Sequence, residues 1–155
     1  MTTTGSLDAN VVLRLLLGDV PEQHETALAL FRRGGSLTIS DVALIESVFV
    51  LGRAYGLTRP QQSEALLGLL RQPGIGGSVE LFEEAFATYL QHPKLSFEDC
   101  YLVSMAGRTG NVPLWTFDKK LANQTEARLL TAVAVTTEER ASLAERATRV
   151  TAPLC

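Results

Sequence analysis

Short β-like segments alternate along the chain with longer segments of helical periodicity. Residues 36–40 (SLTIS) alternate polar and apolar side chains and are rich in β-forming residues, which predicts a strand. Apolar residues then recur at helical spacing over 42–55, up to Gly56, which predicts a helix. Further strands are predicted at Thr3–Leu7, Ser78–Leu81, Val112–Thr116 and Thr131–Val135. Further helices are predicted after Asp8, from Pro21, from Arg59, over Phe82–Leu90, from Ser96, around Leu121 and over Glu138–Arg149.

This alternation of strands and helices predicts the fold class. Strand–helix–strand units produce parallel strands, because each helix carries the chain back to the starting edge of the sheet. We therefore expect an α/β fold with a mainly parallel central sheet that helices cover on both faces. In such folds, ligands bind at the carboxyl ends of the strands.

Composition and charge exclude several classes of protein. The chain has 155 residues, of which 46% are hydrophobic and 20% charged, as in a single globular domain. Its net charge of −3 argues against binding nucleic acid mainly through general electrostatic attraction. No apolar run reaches the roughly 18–20 residues that cross a bilayer, and Met1–Gly5 has no signal-peptide character. The sequence therefore predicts a cytoplasmic protein without a membrane partner.

The two cysteines, Cys100 and Cys155, are far apart and form no CxxC motif. With His24 and His92 they also form no plausible zinc-binding set. A disulfide scaffold, a zinc finger and a cysteine nucleophile are thereby excluded, and Cys100 is expected to be a reduced thiol in the core.

Four carboxylates lie at positions where chemistry is expected. Asp8, Asp99 and Asp118 come near strand ends or helix starts. Asp8 and Asp118 alone could simply be helix N-caps, and Asp99, three residues after Ser96, could simply complete a capping box. Glu46 lies within an almost uniformly apolar helical segment. A carboxylate buried there needs a partner or a wet cavity, and the next cation along the helix, Arg53, follows seven residues later.

Carboxylates gathered at one end of a parallel sheet would form a site of hard oxygen ligands. Such a site suits Mg²⁺ or Mn²⁺, which bind carboxylates and waters and leave positions for a substrate phosphate. Without these four acids, the chain keeps thirteen Asp and Glu against fourteen Lys and Arg, so the remainder carries +1. That balance is compatible with a phosphate-containing substrate.

At these residues the sequence resembles the PIN-domain family, and within it the VapC-type toxins of toxin–antitoxin pairs. The resemblance covers about residues 5–136. It is carried, in order, by Leu7–Arg14, Ile45–Leu51 with Tyr55–Leu57, Phe97–Val103 and Trp115–Leu121.

The resemblance implies a PIN-like α/β/α sandwich and a metal-dependent endoribonuclease that hydrolyses RNA phosphodiester bonds. It also implies a cognate antitoxin protein and a homodimer. It assigns the catalytic and metal-binding roles to Asp8, Glu46, Asp99 and Asp118, with Asn10 and Thr116 in support.

The expected mechanism follows from this set of residues. Asp8, Asp99 and Asp118 would hold one or two Mg²⁺ or Mn²⁺ ions that activate water and stabilise the leaving oxygen. Glu46 would bind a metal, act through a bound water or orient the attacking water. The candidate phosphate contacts are Arg14, Arg53, Lys119 and Lys120.

The sequence departs from the family pattern in three places. Its first strand is polar, and Ala9 occupies a position that often carries a hydroxyl. Residues 137–155 extend beyond the usual end of the domain. We therefore expect a PIN-like domain over 1–136 and a C-terminal helical extension of it over 137–155.

Three alternatives remain at this stage. A haloacid-dehalogenase-type phosphatase needs a second Asp two residues after Asp8, where this chain has Asn10. A response-regulator receiver needs a paired acidic dipeptide after the first strand, which is missing. A catalytically silent PIN-fold module that binds RNA or protein is compatible with every residue in the sequence.

Overall fold

The computed structural model describes residues 3–151 and residue 153. Five strands are present in these residues: β1 (Thr3–Leu7), β2 (Gly35–Ile39), β3 (Ile75–Gly76), β4 (Trp115–Thr116) and β5 (Arg128–Leu129). The helices are α1 (Ala9–Leu16), α2 (Pro21–Arg32), α3 (Asp41–Arg53), α4 (Arg59–Leu70), α5 (Val79–Gln91), α6 (Phe97–Thr109), α7 (Lys119–Gln124) and α8 (Thr137–Thr151).

All strand pairs within the described residues are parallel, as predicted. β1, β2 and β3 form one sheet in that order, and β4 pairs with β5 in a second, two-stranded sheet. The register places Leu7 opposite Ile39. The carboxyl ends of β1 and β2 therefore lie side by side, and Asp8 and Ser40 leave the sheet at the same edge.

Close approach of two strands explains one glycine. Gly35 starts β2 with a φ of +114°, and a Cβ at this position would lie 2.0 Å from the carbonyl oxygen of Thr3. Any other residue would therefore collide with β1 and would also have to adopt an unfavourable backbone conformation. This glycine allows the central strand pair to form.

Hydroxyl side chains start several helices. Ser40 accepts a hydrogen bond from the amide of Ala43 at the start of α3, and Ser96 accepts one from the amide of Asp99 at the start of α6. Thr58 and Gln61 form a reciprocal capping box at the start of α4. These bonds satisfy amides that have no partner within the helix, and they fix where each helix leaves its loop.

The core is aliphatic around the main sheet and aromatic between α5 and α6. Phe82 and Phe86 on α5 are almost fully buried, and their rings contact that of Phe97 at centroid distances of 5.8 and 4.6 Å. Cys100 is also buried there, as predicted. Burial raises the pKa of its thiol to about 11, which keeps it protonated and unreactive at neutral pH. Cys155 lies outside the described residues.

Three predicted strands require correction. Residues 131–135 (TAVAV) are not a strand: they are exposed and without regular structure, and the strand that pairs with β4 is Arg128–Leu129. Residues 79–81 begin α5 instead of forming a strand, because the helix buries Leu81 and Phe82. The strand predicted over 112–116 is shortened to β4, which within residues 3–151 and 153 pairs only with the two-residue β5.

The C-terminal helix α8 agrees with the prediction of a helix after Thr137. Leu143 and Val150 are 75% and 86% exposed, so this helix adds little to the core. Within the described residues, no helix has the length and apolar character required to cross a membrane.

Candidate active site

Asp8 follows β1 directly and caps α1. Its Oδ1 accepts a hydrogen bond of 2.9 Å from the backbone amide of Val11, so the N-cap role considered from the sequence is confirmed. The side chain is nevertheless exposed, and its Oδ2 accepts no hydrogen bond from the residues that the structure describes. Asp8 can therefore cap the helix with one oxygen and offer the other to a ligand. Asn10, two residues later, is exposed on the first turn of α1.

Asp118 is held in a similar way at the start of α7. Its Oδ1 accepts hydrogen bonds from the amides of Lys120 and Leu121, at 2.8 and 3.3 Å. The hydroxyl of Thr116 accepts a bond of 2.9 Å from the amide of Asp118 itself. Backbone and side chain of Asp118 are thus fixed at the carboxyl end of β4, while Oδ2 receives no bond from the part of the chain that is described.

Asp99 lies in the first turn of α6 and is half-buried. Ser96, not Asp99, provides the side-chain cap of this helix. The capping box considered from the sequence is half formed: Ser96 accepts the bond from the Asp99 amide, but within the described residues the Asp99 carboxylate accepts no bond from the Ser96 amide.

Glu46 differs from the sequence-based expectation, because it is exposed on α3. Glu46 is not among the residues that form the buried side of α3. On its own side of the helix, Val42 and Phe49 are 75% and 49% exposed. The helix is apolar all round, but neighbouring elements cover only part of it. The suggested ion pair with Arg53 is absent from the described residues, and the Arg53 guanidinium instead lies over the Phe49 ring at 5.4 Å.

The other two aspartates have strong side-chain partners. Asp19 accepts hydrogen bonds from Tyr55 and Arg14, and the bond from Tyr55, with a smaller contribution from Arg14, lowers the pKa of Asp19. Asp41 accepts a bond of 2.6 Å from the Tyr101 hydroxyl. Asp8, Asp99 and Asp118, by contrast, receive no side-chain donor from the described residues. The partners of Asp19 and Asp41 come from distant parts of the sequence, so its local patterns could not reveal them.

The structure places the predicted acids on four separate elements. Asp8 leaves the main sheet beside Ser40, and together with Asn10 it borders a groove of about 610 Å³ between α1 and α2. Glu46, Asp99 and Asp118 do not line this groove. Over residues 3–151 and 153, no three or more histidine, cysteine or acidic side chains are grouped closely enough to hold a metal ion.

The chemistry of the donor set nevertheless suits a hard divalent cation. All four predicted ligands are carboxylates at exposed or half-buried positions, and none takes part in an ion pair within the described chain. Three of them lie at the N-termini of helices, where negative charge is favoured. Oxygen ligands of this kind are the ones that Mg²⁺ and Mn²⁺ prefer.

The candidate phosphate-binding cations fall into two groups. Arg14 is engaged by Asp19 and by the hydroxyl of Tyr55, and Arg53 lies over Phe49. Lys119 and Lys120 are exposed next to Asp118 and form no ion pair with any residue that the structure describes. The lysines are therefore the more accessible of these cations.

Comparisons with known proteins identify the family. The family model described as "PIN domain" matches residues 6–127, a range that contains all four carboxylates together with Asn10 and Thr116. No curated protein matches the chain. Among solved structures, the chain is similar to Mycobacterium tuberculosis VapC20, whose title describes a toxin that cleaves the sarcin–ricin loop. The identity is 19%, the match covers 78% of this chain and 94% of that chain, and the TM-score is 0.38.

The family match also decides between the folds considered from the sequence. It confirms the predicted PIN-like α/β/α sandwich with parallel strands, and it leaves neither the phosphatase nor the receiver alternative in place. The division into a domain over 1–136 and an extension over 137–155 stays a prediction. The chain belongs to the PIN-domain family.

Proposed function

We propose that this protein is a metal-dependent endoribonuclease that hydrolyses RNA phosphodiester bonds at a site formed by Asp8, Glu46, Asp99 and Asp118. One observation carries the proposal: the PIN match spans all four acids, in a chain where none of them is neutralised by an ion pair of the described residues. Asp19, by contrast, is paired with Arg14, and Asp41 accepts a hydrogen bond from the Tyr101 hydroxyl.

The proposed cofactor is Mg²⁺ or Mn²⁺. When bound, such an ion supplies Lewis-acid activation of water and stabilises the departing oxygen. Over residues 3–151 and 153, no group of three or more histidine, cysteine or acidic side chains is close enough to hold a metal ion. The proposed cofactor therefore rests on the carboxylate chemistry of the four residues.

Each proposed site residue has a distinct role for which its environment suits it. Asp8 and Asp118 present one carboxylate oxygen while the other holds a helix start, so their orientation is fixed before any ligand arrives. Asp99 has no capping bond and contributes a carboxylate from the first turn of α6. Glu46, exposed on α3, orients the attacking water or binds the ion.

Two further residues support these carboxylates. Thr116 fixes the backbone of Asp118 through the bond to its amide. Asn10 offers an exposed amide beside Asp8, on the side of the α1–α2 groove. Thr116 is therefore proposed as a positioning residue, and Asn10 as a polar contact for the substrate or its hydration.

The biological setting belongs to the proposal as well. The motifs resemble those of VapC-type toxins, from which we infer a cytoplasmic toxin that is neutralised by a cognate antitoxin and acts as a homodimer. Co-purification of a small protein encoded next to this one would support the antitoxin. For the purified protein by itself, a measured mass twice that of the chain would support the homodimer.

An assay on unselected RNA tests the nuclease proposal without a guess about the target. A random-sequence RNA pool is incubated with the protein and Mg²⁺ or Mn²⁺, and new 5′ ends are mapped by sequencing. We expect cleavage that EDTA abolishes and that Asp8→Asn and Asp99→Asn reduce at least about 100-fold. Glu98→Gln is the matched control, because it removes an equal charge from the residue next to Asp99.

The absence of a preformed ligand group also favours a second candidate, a silent PIN-fold module that binds RNA or protein. Such a module would bind its partner equally well in EDTA and after Asp99→Asn, and it would yield no new 5′ ends. These results would contradict the nuclease proposal and support the silent module in its place.

A further inference from the structure

Two aromatic side chains stand exposed directly before Asp118. Trp115 is 52% exposed and Phe117 is 79% exposed. Burial of aromatic rings is among the strongest contributions to folding, and Phe82, Phe86 and Phe97 of this chain are all buried. Trp115 and Phe117 thus keep large apolar surfaces in solvent at a position where the fold gains little from them, which is typical of a binding surface.

A positive charge lies beside the Trp115 ring, and two more follow these rings along the chain. The register of β4 and β5 pairs Trp115 with Arg128, whose guanidinium lies 5.8 Å from the centroid of the Trp115 ring. Lys119 and Lys120 follow Asp118 and are exposed. No ion pair neutralises these three cations within the described residues.

The acids of the same segment do not cancel this positive charge. Residues 115–130 contain two acids, Asp118 and Glu126, against Lys119, Lys120 and Arg128. Asp118 belongs to the proposed metal site, so a bound divalent cation would make the segment still more positive. Exposed rings beside unneutralised cations are complementary to an unpaired nucleotide, which combines a flat base with a phosphate.

We infer that Trp115, Phe117 and Arg128 form a platform on which unpaired bases of single-stranded RNA stack, while Lys119 and Lys120 contact the neighbouring phosphates. The inference rests on the proposed ribonuclease function, and it adds which residues hold the bases of the substrate next to Asp118. Trp115 and Phe117 are thereby specificity residues that select single strands over duplex, because a base within a duplex has no free face to offer.

The only tryptophan of the chain makes this inference directly measurable, because all indole emission comes from Trp115. The Asp99→Asn variant, which binds without cleaving under the proposed mechanism, is titrated with a short single-stranded oligoribonucleotide while indole emission is recorded. The control ligand is an abasic ribose-phosphate chain of equal length. We expect the RNA to quench the emission, and the abasic chain to leave it almost unchanged.

Variants separate stacking from apolar contact in general. In the Asp99→Asn background, Phe117→Ala is expected to weaken RNA binding about 5- to 150-fold, the change that corresponds to roughly 1–3 kcal/mol per stacked base. Phe117→Leu keeps an apolar side chain without a ring and should weaken binding to a similar extent. Val112→Ala, which shortens a 60% exposed apolar residue of the same region, should leave binding unchanged.

Equal quenching by the abasic chain, or unchanged RNA affinity after Phe117→Ala, would overturn the platform. A change of indole emission with protein concentration in the absence of RNA, together with a doubled mass of the protein, would also overturn the platform. That result would assign the rings to a contact between two copies of the chain. The two proposals fail separately: cleavage by the wild type without quenching removes the platform alone, whereas quenching without cleavage supports the platform and removes the nuclease.

Discussion

The hydroxyl of Thr116 accepts a hydrogen bond of 2.9 Å from the backbone amide of Asp118. The carboxylate of Asp118 in turn accepts bonds from the amides of Lys120 and Leu121. The end of β4, the turn after it and the start of α7 are therefore joined in one network. A carboxylate held in this way reaches the proposed site without a further loss of conformational entropy.

We predict that Thr116→Val reduces RNA cleavage about 3- to 30-fold and lowers stability by only about 1 kcal/mol. Valine keeps the shape of threonine but cannot accept the bond from Asp118, so the carboxylate loses part of its orientation. Cleavage rates under saturating substrate and urea unfolding curves measure the two effects.

Thr116→Ser is the rescue variant, because it restores the hydroxyl. Thr58→Val is the matched control, since it removes the same type of bond, donated by the Gln61 amide to the Thr58 hydroxyl at the start of α4. If Thr58→Val slowed cleavage as much as Thr116→Val, the effect would reflect stability and not the positioning of Asp118.

We predict that Gly52→Ala destabilises the protein by about 1–3 kcal/mol. A Cβ at Gly52 would lie 2.3 Å from Nε2 of Gln62, which donates a 2.9 Å bond to the carbonyl of Val48. The side-chain carbonyl oxygen of Gln62 also accepts a hydrogen bond from the Tyr89 hydroxyl. Displacing the Gln62 side chain would therefore leave buried polar groups without partners. Gly68→Ala is the control, because no atom lies within 4 Å of its added Cβ. An equal stability for both variants would contradict the prediction.

We predict that Phe82→Ala lowers the free energy of unfolding by about 3–5 kcal/mol. Phe82 is fully buried and its ring contacts those of Phe86, Phe97 and Tyr101, so truncation leaves a cavity in the layer between α5 and α6. Phe117→Ala removes the same atoms from an exposed site and should change stability by less than about 0.5 kcal/mol. Chemical denaturation of both variants checks the contrast.

We predict that stability falls as the pH rises from 9 to 12. Burial raises the pKa of Cys100 from 9.0 to about 11, and burial, with a bond to Asp41, raises that of Tyr101 from 10.0 to about 12. Each stabilising contribution is complete below the unfolded-state pKa and disappears as the pH passes the folded-state value. Tyr101→Phe should therefore flatten the curve between pH 10 and 12, whereas parallel wild-type and variant curves would contradict this assignment.

Much of the fold could be predicted because local sequence determines where its elements start and stop. Ser40, Thr58 and Ser96 start helices through their own side chains, and β1 and β2 agree with the predicted strands. The segment TAVAV over 131–135 has the residues of a strand but is exposed, and β4 is already paired with β5. Strand propensity indicates that a segment can pair with a neighbouring strand, but it does not show that the fold places such a strand beside it.

The candidate acids could be named from the sequence, but their environments could not. The exposure of Glu46 was missed because α3 is apolar on nearly all sides, and periodicity does not tell which side the neighbouring helices cover. The bonds of Asp19 to Tyr55 and of Asp41 to Tyr101 join residues 36 and 60 positions apart. Pairings at such distances depend on the tertiary fold and leave no local pattern.

The proposed metal site is tested by measuring the melting temperature as a function of Mn²⁺ concentration for wild type, Asp99→Asn and Glu98→Gln. An ion that binds only the folded state at 100 times its Kd adds about 2.7 kcal/mol, a rise of roughly 5–10 °C for a chain of this size. We expect this rise for wild type and Glu98→Gln and a much smaller one for Asp99→Asn. Flat curves for all three proteins, or an equal rise after Asp99→Asn, would contradict a metal site that includes Asp99.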